Sequence, residues 1–454
     1  MSPSEPLRPA RISPSARSLA GLAAVVFAAS LAFFAWDLRD APFVDEYAYI
    51  SQSYYADLFL DGKTNDRAWL DLPAYDLVPL PKYLIGLALR AEGFGRPGPA
   101  AARLWYNDTS SVFGTQSVLT SARVPSIVLG AIGCVAIFAL GVMVRDVQVG
   151  LAAAFLLAVN PLYRLHAHRA MSEAPCETFL YLALVIAAWC WGRAFGPRDE
   201  AKPWLSIGLV AVGGAAGLSV LAKFNGLLAL MTLAAWVVLG WSLPGRSWTA
   251  KLSFAVGSCL AVAVAWVVFL GLNPFMTARP PGPLQAEARQ LAELSAWQRF
   301  RLLIDHRRTM SQGQQKAFPH NALTTLPERA KVVAAQGFGR FGPLGPATTD
   351  STLRFDLGQD GGAFVWLPVC LAGLVGSIVL GLRQYRAGEA PLAWALATWA
   401  LLALAVVTLY IPMAWDRYQL PIQAPFCLLA AIFLTASGEA IVKLVRPART
   451  ESRV

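Results

Sequence analysis

Residues 19–50 contain the pattern that decides the fold, and they read LAGLAAVVFAASLAFFAWDLRDAPFVDEYAYI. The first part, Leu19 to Trp36, is an apolar run close to the roughly 20 residues that a helix needs to cross about 30 Å of hydrocarbon. Asp45 and Glu46 follow a few residues later. A carboxylate pair so close to the end of a span is expected at the wet rim of the bilayer, where ionised side chains stay hydrated and accessible.

The composition of the whole chain predicts a polytopic membrane protein. Of its 454 residues, 56% are hydrophobic and 15% are charged, and the mean hydropathy is +0.49. The net charge of +10 comes from Lys and Arg residues spread over short loops and chain ends, so we expect no nucleic-acid partner. The six cysteines lie in or beside apolar runs without CxxC or Cys/His spacing, which indicates buried thiols rather than disulfides or a zinc site.

Ten apolar runs are long enough to span a membrane, and each needs roughly 20 residues to do so. They are 19–36, 122–144, 148–164, 174–192, 204–221, 224–241, 252–272, 363–382, 391–411 and 419–442. We therefore predict an all-α polytopic membrane protein with about ten transmembrane helices, within a range of about nine to twelve.

The distribution of basic residues predicts the orientation of these spans. If the N-terminus is cytoplasmic, the short inner segments hold fifteen Lys and Arg residues, and the short outer loops hold four. This is the bias expected when positive charge stays on the cytoplasmic side. Residues 1–18 and 443–454 are then cytoplasmic tails, and Asp45 and Glu46 face outwards.

Two long outer loops follow from this topology, residues 37–121 and residues 273–362. Their net charges are −4 (eleven acidic, seven basic) and +4 (seven acidic, eleven basic), which predicts that they face each other. Apolar positions from Gln285 to Leu303 fit an amphipathic helix at the membrane interface. The chain thus divides into a transmembrane module that includes the first loop (19–272), the second loop, and C-terminal transmembrane helices (363–442).

Five stretches in a fixed order carry a family resemblance. They are the acidic pair with the aromatic stretch and DLVPLPKYLIGLAL after it (from Asp76), SARVPSIVLGAIG (from Ser121), NPLYRLHAHRAMSEAPCETFLYLAL (from Asn160), GLSVLAKFNGLLAL (from Gly217) and WDRYQLPIQAPFCLLAA (from Trp415). Together they resemble the protein O-mannosyltransferases and the related bacterial lipid-carrier-dependent glycosyltransferases of the GT-C superfamily, relatives of the aminoarabinose transferases. Leu77 stands where that family has a motif His, whereas Pro79, Leu80 and Lys82 match.

The resemblance implies a GT-C type bundle and an inverting glycosyltransferase. Such an enzyme takes a sugar from a polyprenyl phosphate in the membrane and passes it to an acceptor hydroxyl at the outer face. Because the acceptor oxygen must lose a proton as it attacks, a carboxylate within hydrogen-bond reach is the natural general base. Position in the motif favours Asp45 for this role. Glu46 is predicted to orient the acceptor, to act as the base itself, or to cap a juxtamembrane helix through the helix dipole.

The leaving group of this reaction is a phosphate, whose developing charge requires fixed cations or hydrogen-bond donors. Lys82, Arg169, Lys223 and Arg417 are the candidates, because the predicted topology puts each of them at an outer membrane edge. Each could instead anchor a helix end by extending its charge into water. The chain has no convincing GxGxxG element with the strand and helix of a nucleotide site, in keeping with a lipid-linked donor.

The loop that starts at Asn160 supplies further candidates. His166, His168 and Glu173 lie within eight residues and could bind a divalent cation, as second-loop acidic residues do in the metal-dependent GT-C oligosaccharyltransferases. No cofactor is required by the resemblance, and Glu173 and His168 could contact donor or acceptor without a metal. Tyr49 and Tyr54 are predicted to contact the sugar, or to lie at the lipid interface where tyrosines are common.

Other classes of protein share part of this pattern. A transporter or flippase of lipid-linked sugars would also have about ten spans, but it would be expected to show charges inside the spans and repeated halves. An O-antigen polymerase or ligase would ordinarily have one large loop late in the chain. A non-catalytic scaffold remains an alternative because of Leu77. The expected partners are a polyprenyl-phosphate-linked sugar, membrane lipids, and an acceptor protein, glycolipid or polysaccharide, at the periplasmic face of a bacterial inner membrane.

Overall fold

The computed structural model describes residues 15–99, 102, 115–197, 203–346 and 353–445, and most of both predicted tails lies outside these ranges. The regular structure of the described residues is helical and contains no strand, apart from one isolated antiparallel bridge between Ala322 and Met413. The predicted all-α class is therefore confirmed.

In chain order, the α-helices bounded within these ranges are α1 (Ala16–Ala35), α2 (Val44–Ser51), α3 (Tyr55–Leu60), α4 (Leu72–Asp76), α5 (Pro79–Ala91), α6 (Gln116–Val144), α7 (Val147–Ala158), α8 (Pro161–Ala167), α9 (Glu173–Phe195), α10 (Pro203–Ala222), α11 (Leu227–Ser242), α12 (Trp248–Gly271), α13 (Ala286–Glu293), α14 (Ala296–Ala317), α15 (Leu326–Val332), α16 (Leu357–Asp360), α17 (Ala363–Arg386), α18 (Leu392–Tyr410) and α19 (Gln423–Val445). Nine helical segments of the described chain are long and apolar enough to cross a membrane, and they contain α1, α6, α9, α10, α11, α12, α17, α18 and α19. Each matches one of the predicted apolar runs.

The tenth predicted span, 148–164, is broken. Helices α7 and α8 meet at an angle of 69° and qualify as a span only as a pair. The cause lies in the sequence, because Pro161 cannot continue the hydrogen-bond ladder of α7 and suits the first turn of a new helix. Asn160 caps that new helix by accepting a hydrogen bond from the Tyr163 N–H at 2.9 Å.

The predicted amphipathic helix from Gln285 to Leu303 is wrong as one continuous element. The structure has two helices there, α13 and α14, because Leu294 is extended and Ser295 starts a new helix. Ser295 and Gln298 form a reciprocal capping box, which stabilises a helix start at this position. Both long loops contain helices, α2 to α5 in the first and α13 to α16 in the second.

Close backbone approach joins the spans of the first half. An added Cβ at Gly141 of α6 would lie 2.6 Å from the Gly150 Cα of α7, so this crossing requires glycine on both helices. A continuous apolar core follows, in which Tyr163, Tyr181 and Trp399 are fully buried. The predicted burial of the cysteines holds for all of them except Cys259, which is exposed.

The two outer loops touch, as their opposite charges predict. The Tyr83 hydroxyl donates a hydrogen bond to the Leu272 carbonyl at 3.1 Å, where the second loop begins. The Asn65 side chain accepts one from the Arg279 N–H at 3.0 Å. These contacts hold the first long loop against the start of the second.

Candidate functional site

Four loops and helix ends meet where α2 begins. They are the first turn of α2 with Asp45 and Glu46, the segment 168–172 between α8 and α9, the turn at Lys223 after α10, and the turn at 415–417 before α19. Carboxylates in the first turn of a helix interact favourably with its dipole, so the local sequence already favours α2 starting here.

Glu46 is the centre of a buried network and has no exposed surface. Its two carboxylate oxygens accept hydrogen bonds from the Arg123 guanidinium of α6 at 2.8 and 2.6 Å. They also accept from the Phe43 N–H, which caps α2, and from the Ala170 N–H, both at 2.8 Å. These contacts match the capping alternative for Glu46, and both of its carboxylate oxygens have partners inside the protein.

Arg123 completes this network with its remaining donors. They reach the carbonyl oxygens of Leu38 and Asp40 at 2.9 and 2.8 Å and that of Ala41 at 3.2 Å. Because the guanidinium donates hydrogen bonds to one carboxylate and three carbonyls, it holds the chain between α1 and α2 in one conformation. The segment that carries Asp45 is therefore rigidly attached to α6.

Asp45 points the other way and forms an ion pair with Arg417. Both side chains keep some exposure, 28% for Asp45 and 18% for Arg417. Arg417 also lies over the Trp415 ring, with its guanidinium carbon 4.9 Å from the ring centroid. A predicted base and a predicted phosphate ligand, far apart in the sequence, are thus in direct contact at a site that solvent reaches.

Asp416 and His166 lie next to this pair. The Asp416 carboxylate accepts from the Arg417 N–H at 2.6 Å and stands 3.7 Å from His166 Nε2. Both ring nitrogens of His166 are buried without a hydrogen-bond partner in the described chain. This imidazole has unused donor and acceptor capacity beside the ion pair.

Glu173 and Lys223 form a second ion pair, at 2.7 Å, with Glu173 almost completely buried. Burial alone would lower the pKa of Lys223, but the Glu173 carboxylate outweighs it and raises that pKa above its usual value. Tyr49 of α2 lies against this pair. Burial, helped by Glu173, raises the pKa of Tyr49, so its phenol remains protonated and able to donate.

Arg169 and His168 occupy the loop between these pairs. Arg169 lies over the Phe43 ring at 4.0 Å, and one of its terminal nitrogens is buried without a partner in the described residues. His168 Nδ1 lies 3.0 Å from the Arg164 carbonyl, and its Nε2 is 3.7 Å from Asp40. Burial, with the nearby Arg123 charge, lowers the pKa of His168.

Two predicted site residues lie elsewhere. Lys82 is completely buried under α4, where its ammonium donates to the carbonyls of Pro73 and Ala74 at 2.6 and 3.3 Å and lies 5.0 Å from the Tyr55 ring centroid. Burial lowers the pKa of Lys82 well below its usual value. Tyr54 stacks on Tyr55 in the same apolar cluster. The contacts of both residues indicate structural roles.

The predicted metal ligands do not converge. Within the described ranges, no three His, Cys, Asp or Glu side chains form a group that could hold a metal ion. Glu173 is taken by Lys223, and His168 faces a carbonyl. Among the described residues, His166, His168 and Glu173 therefore do not form a group that could hold a divalent cation.

Two residues of the site were missed as functional candidates. Arg123 and Asp416 lie inside the stretches SARVPS and WDRYQLP that carry the family resemblance, but no role was predicted for either. Arg123 lies near the start of a long apolar span. An unpaired charge is unfavourable there, so its position already indicates that it has an acidic partner.

The comparisons with known proteins agree with this architecture. Residues 108–270 match the family model described as dolichyl-phosphate-mannose-protein mannosyltransferase. Among curated proteins, the sequence comparison finds no match.

Several solved structures share the fold. The oligosaccharyltransferase AglB from Archaeoglobus fulgidus, solved with an inhibitory peptide and a dolichol-phosphate, is 13% identical with a TM-score of 0.54, over 94% of this chain and 52% of that protein. ArnT from Cupriavidus metallidurans, bound to undecaprenyl phosphate, is 15% identical with a TM-score of 0.50, over 94% and 62%. The Archaeoglobus fulgidus oligosaccharyltransferase with Zn and sulfate is 15% identical with a TM-score of 0.53, over 92% and 49%.

This chain spans about half to three fifths of the length of those proteins. It shares with them a fold of apolar helices. Its residues 108–270 are in addition similar to the dolichyl-phosphate-mannose-protein mannosyltransferase family.

Proposed function

We propose that this protein is an inverting glycosyltransferase, which moves a hexose or pentose from a polyprenyl-phosphate donor to an acceptor hydroxyl. The observation that carries the proposal is the ion pair between Asp45 and Arg417. It puts a carboxylate suited to take a proton beside a guanidinium suited to hold a phosphate, at a point that solvent reaches.

Asp45 acts as the general base in this scheme. The acceptor oxygen attacks the anomeric carbon from the face opposite the phosphate, a new C–O bond forms, and the hydroxyl proton passes to Asp45. The bond from the anomeric carbon to the phosphate oxygen breaks with its electron pair, and polyprenyl phosphate leaves. Asp45 is the choice over its neighbour, because Glu46 has all its contacts inside the protein.

Three cations are assigned to the donor phosphate. Arg417 can hold phosphate oxygens through two parallel N–H donors, and Arg169 has a buried nitrogen that lacks a partner among the described residues. Lys223 keeps a positive charge because Glu173 stabilises it. Together they would offset the charge that develops on the leaving oxygen.

The shared position of Arg417 suggests an order of events. In the free protein its charge is balanced by Asp45. A donor phosphate competes for the same guanidinium and draws it from Asp45. The Asp45 carboxylate is then released for the acceptor hydroxyl only when a donor is bound.

The location of the reaction is also part of the proposal. The excess of basic residues in the short inner segments supports a cytoplasmic N-terminus, so Asp45 would face the periplasm of a bacterial inner membrane. No step is assigned to a metal, because the candidate ligands do not converge among the described residues. Acceptors that fit the scheme are a protein hydroxyl, a glycolipid or a polysaccharide.

The test is release or transfer of labelled sugar from a lipid-linked donor pool by the purified full chain. Asp45→Asn should lower the rate by about 10²–10⁴-fold, the usual contribution of a general base. Asp61→Asn, an exposed carboxylate of the same loop, is the matched control and should keep the wild-type rate. If Asp45→Asn folds normally and retains full activity, Asp45 is not the base.

The metal question is decided in the same assay. Thorough chelation should leave turnover unchanged if the chain's own cations hold the phosphate. A loss of turnover that an added divalent cation restores would assign a metal to the Glu173 region and contradict the metal-free scheme.

A further inference from the structure

A second polar site lies between the two outer loops, away from the ion pairs described above. It is a cavity of about 660 Å³, a size typical of small-ligand sites. Its polar lining comes from both loops and from the end of α2, and it consists of Gln52, Arg67, Asp71, Asp76, Gln285 and His306. None of these residues has a role in the glycosyl transfer proposed above.

Gln52 is the feature that indicates a ligand. Gln52 is 2% exposed, and its side-chain carbonyl oxygen is buried without a hydrogen-bond donor among the described residues. A buried acceptor without a partner is unfavourable and rare in folded proteins. A ligand hydroxyl in this cavity would supply the missing donor.

The polar lining indicates the kind of ligand. It holds the Asp71 and Asp76 carboxylates and the Arg67 guanidinium, and Asp76 is held by His306 at 3.4 Å and Arg307 at 3.7 Å. The lining therefore has no excess of cations to bind a phosphate, and its carboxylates accept hydrogen bonds from hydroxyl groups. The apolar side chains of Leu72, Ala288 and Met310 complete the wall. Acceptor oxygens beside apolar patches match the alternating O–H and C–H surfaces of a sugar.

The position of the cavity connects it to Asp45. Asp45, Tyr49 and Gln52 follow one another at i, i+4 and i+7, which puts them on one face of α2 and its C-terminal cap. At about 1.5 Å per residue, Gln52 lies roughly 10 Å along the helix from Asp45. A molecule of two or three rings can bridge that distance, with one end in the cavity and one hydroxyl at the carboxylate.

We propose that this cavity binds a neutral carbohydrate through its hydroxyl groups. The proposal deepens the proposed function and rests on it for the link to Asp45, since the sugar belongs either to the acceptor or to the donor. Phosphate recognition stays with Arg417 and its neighbours, and sugar recognition is assigned to Gln52 and Asp76.

The test measures binding without any donor. The full chain in lipid nanodiscs is mixed with four methyl glycosides, those of mannose, glucose, galactose and arabinofuranose, and with N-acetylthreonine amide. Saturation-transfer NMR should show contact with ring protons of at least one glycoside. Gln52→Leu and Asp76→Asn should each weaken this signal at least fivefold, and the control Asp61→Asn should leave it unchanged. Asp76 is partly exposed, so its variant decides the question if Gln52→Leu does not fold.

Two additions to the sample separate the sources of the sugar. A sugar-loaded polyprenyl phosphate fraction from bacterial membranes displaces the glycoside if the cavity holds the donor sugar, whereas bare undecaprenyl phosphate does not. If neither displaces it, the cavity holds the acceptor. Absence of any glycoside signal, signal only from the threonine amide, or full signal in both variants would overturn the proposal. Glycoside binding together with no donor cleavage would instead count against the proposed transferase activity alone.

Discussion

Asp45 and Glu46 are neighbours in the chain, yet they belong to two different regions of the molecule. Glu46 and Arg123 are 0% and 1% exposed and belong to the packed interior against α6. Asp45 and Arg417 are 28% and 18% exposed and belong to the open rim beside the turn that precedes α19. Two chemically similar ion pairs, one residue apart, therefore differ in burial: one lies in the interior and fixes the backbone, and the other is the pair that exchanges partners in the proposed reaction.

Burial explains this difference. A charge in the interior must keep every contact, because an unpaired one costs several kcal/mol, whereas a pair at a wet surface can separate at a cost of about 0–1 kcal/mol. The four predictions that follow test this contrast.

The largest effect is expected from Glu46→Gln. This change leaves the Arg123 guanidinium buried without its counter-charge and should lower the free energy of unfolding by about 3–5 kcal/mol. Asp45→Asn should change it by less than about 1 kcal/mol. Denaturant titration in mixed micelles measures both. A double variant, Glu46→Gln with Arg123→Met, should recover part of the loss, since no charge is then left alone. Equal effects of the two single variants would erase the contrast.

Arg417→Gln should affect chemistry rather than stability. Loss of one preorganised cation at the leaving phosphate is expected to slow sugar transfer by about 10²–10³-fold. The melting temperature should stay close to that of the wild type because the site is partly exposed. Arg39→Gln, an exposed arginine of the first long loop, is the control. A transfer rate unaffected by Arg417→Gln would remove this residue from the phosphate site.

Lys82→Met tests whether Lys82 belongs to the buried interior or to the partly exposed site around Asp45 and Arg417. The ammonium of Lys82 donates to the Pro73 and Ala74 carbonyls, so its removal leaves two buried acceptors and should cost about 1–3 kcal/mol of stability. The transfer rate per folded molecule should not fall, because no surface of Lys82 is open to a phosphate. Transfer assays normalised to the amount of folded protein measure this. A lower rate per folded molecule would instead support the predicted role of Lys82 in binding the donor phosphate.

The smallest effect concerns pH. Burial and the Arg123 charge lower the pKa of His168 in the folded protein, so the unfolded chain binds more protons just below the ordinary His pKa of about 6.5. The stability that neutral His168 contributes is constant above that pH and should decline as the pH falls below it. Melting curves of wild type and His168→Asn from pH 7.5 to 5.5 give this contribution as a difference. If the stability difference between wild type and His168→Asn increases as the pH falls, the prediction is wrong.

The sequence was sufficient for the features that depend on local composition. Nine of the ten apolar runs form helical segments of membrane-spanning length, and the two long loops of opposite charge are in contact, as predicted. Asp45 was identified by its place after the first span, although its role is still a proposal. Hydropathy and motif position are properties of consecutive residues, and the position of a membrane-spanning helix depends on consecutive residues too.

Pairings between distant residues could not be predicted in this way. Glu46 and Arg123 are separated by 77 positions, and Asp45 and Arg417 by 372. Lys82 matched a motif lysine, but whether it reaches a phosphate or turns under α4 depends on packing against Tyr55. The break between α13 and α14 shows a related limit, because the cap at Ser295 outweighed an apolar periodicity that continued through it.

The bend between α7 and α8 has a mechanical consequence for the lipid around it. Helix α7 has 12 residues, which at about 1.5 Å each extend only about 18 Å, well short of the roughly 30 Å of a hydrocarbon layer. Such a mismatch is relieved by thinning of the bilayer, at a fraction of a kcal/mol per Å. The leaflet beside His166 and Arg169 is then expected to dip, which would lower lipid headgroups toward the cations. The protein would in this way bring the membrane surface to the site.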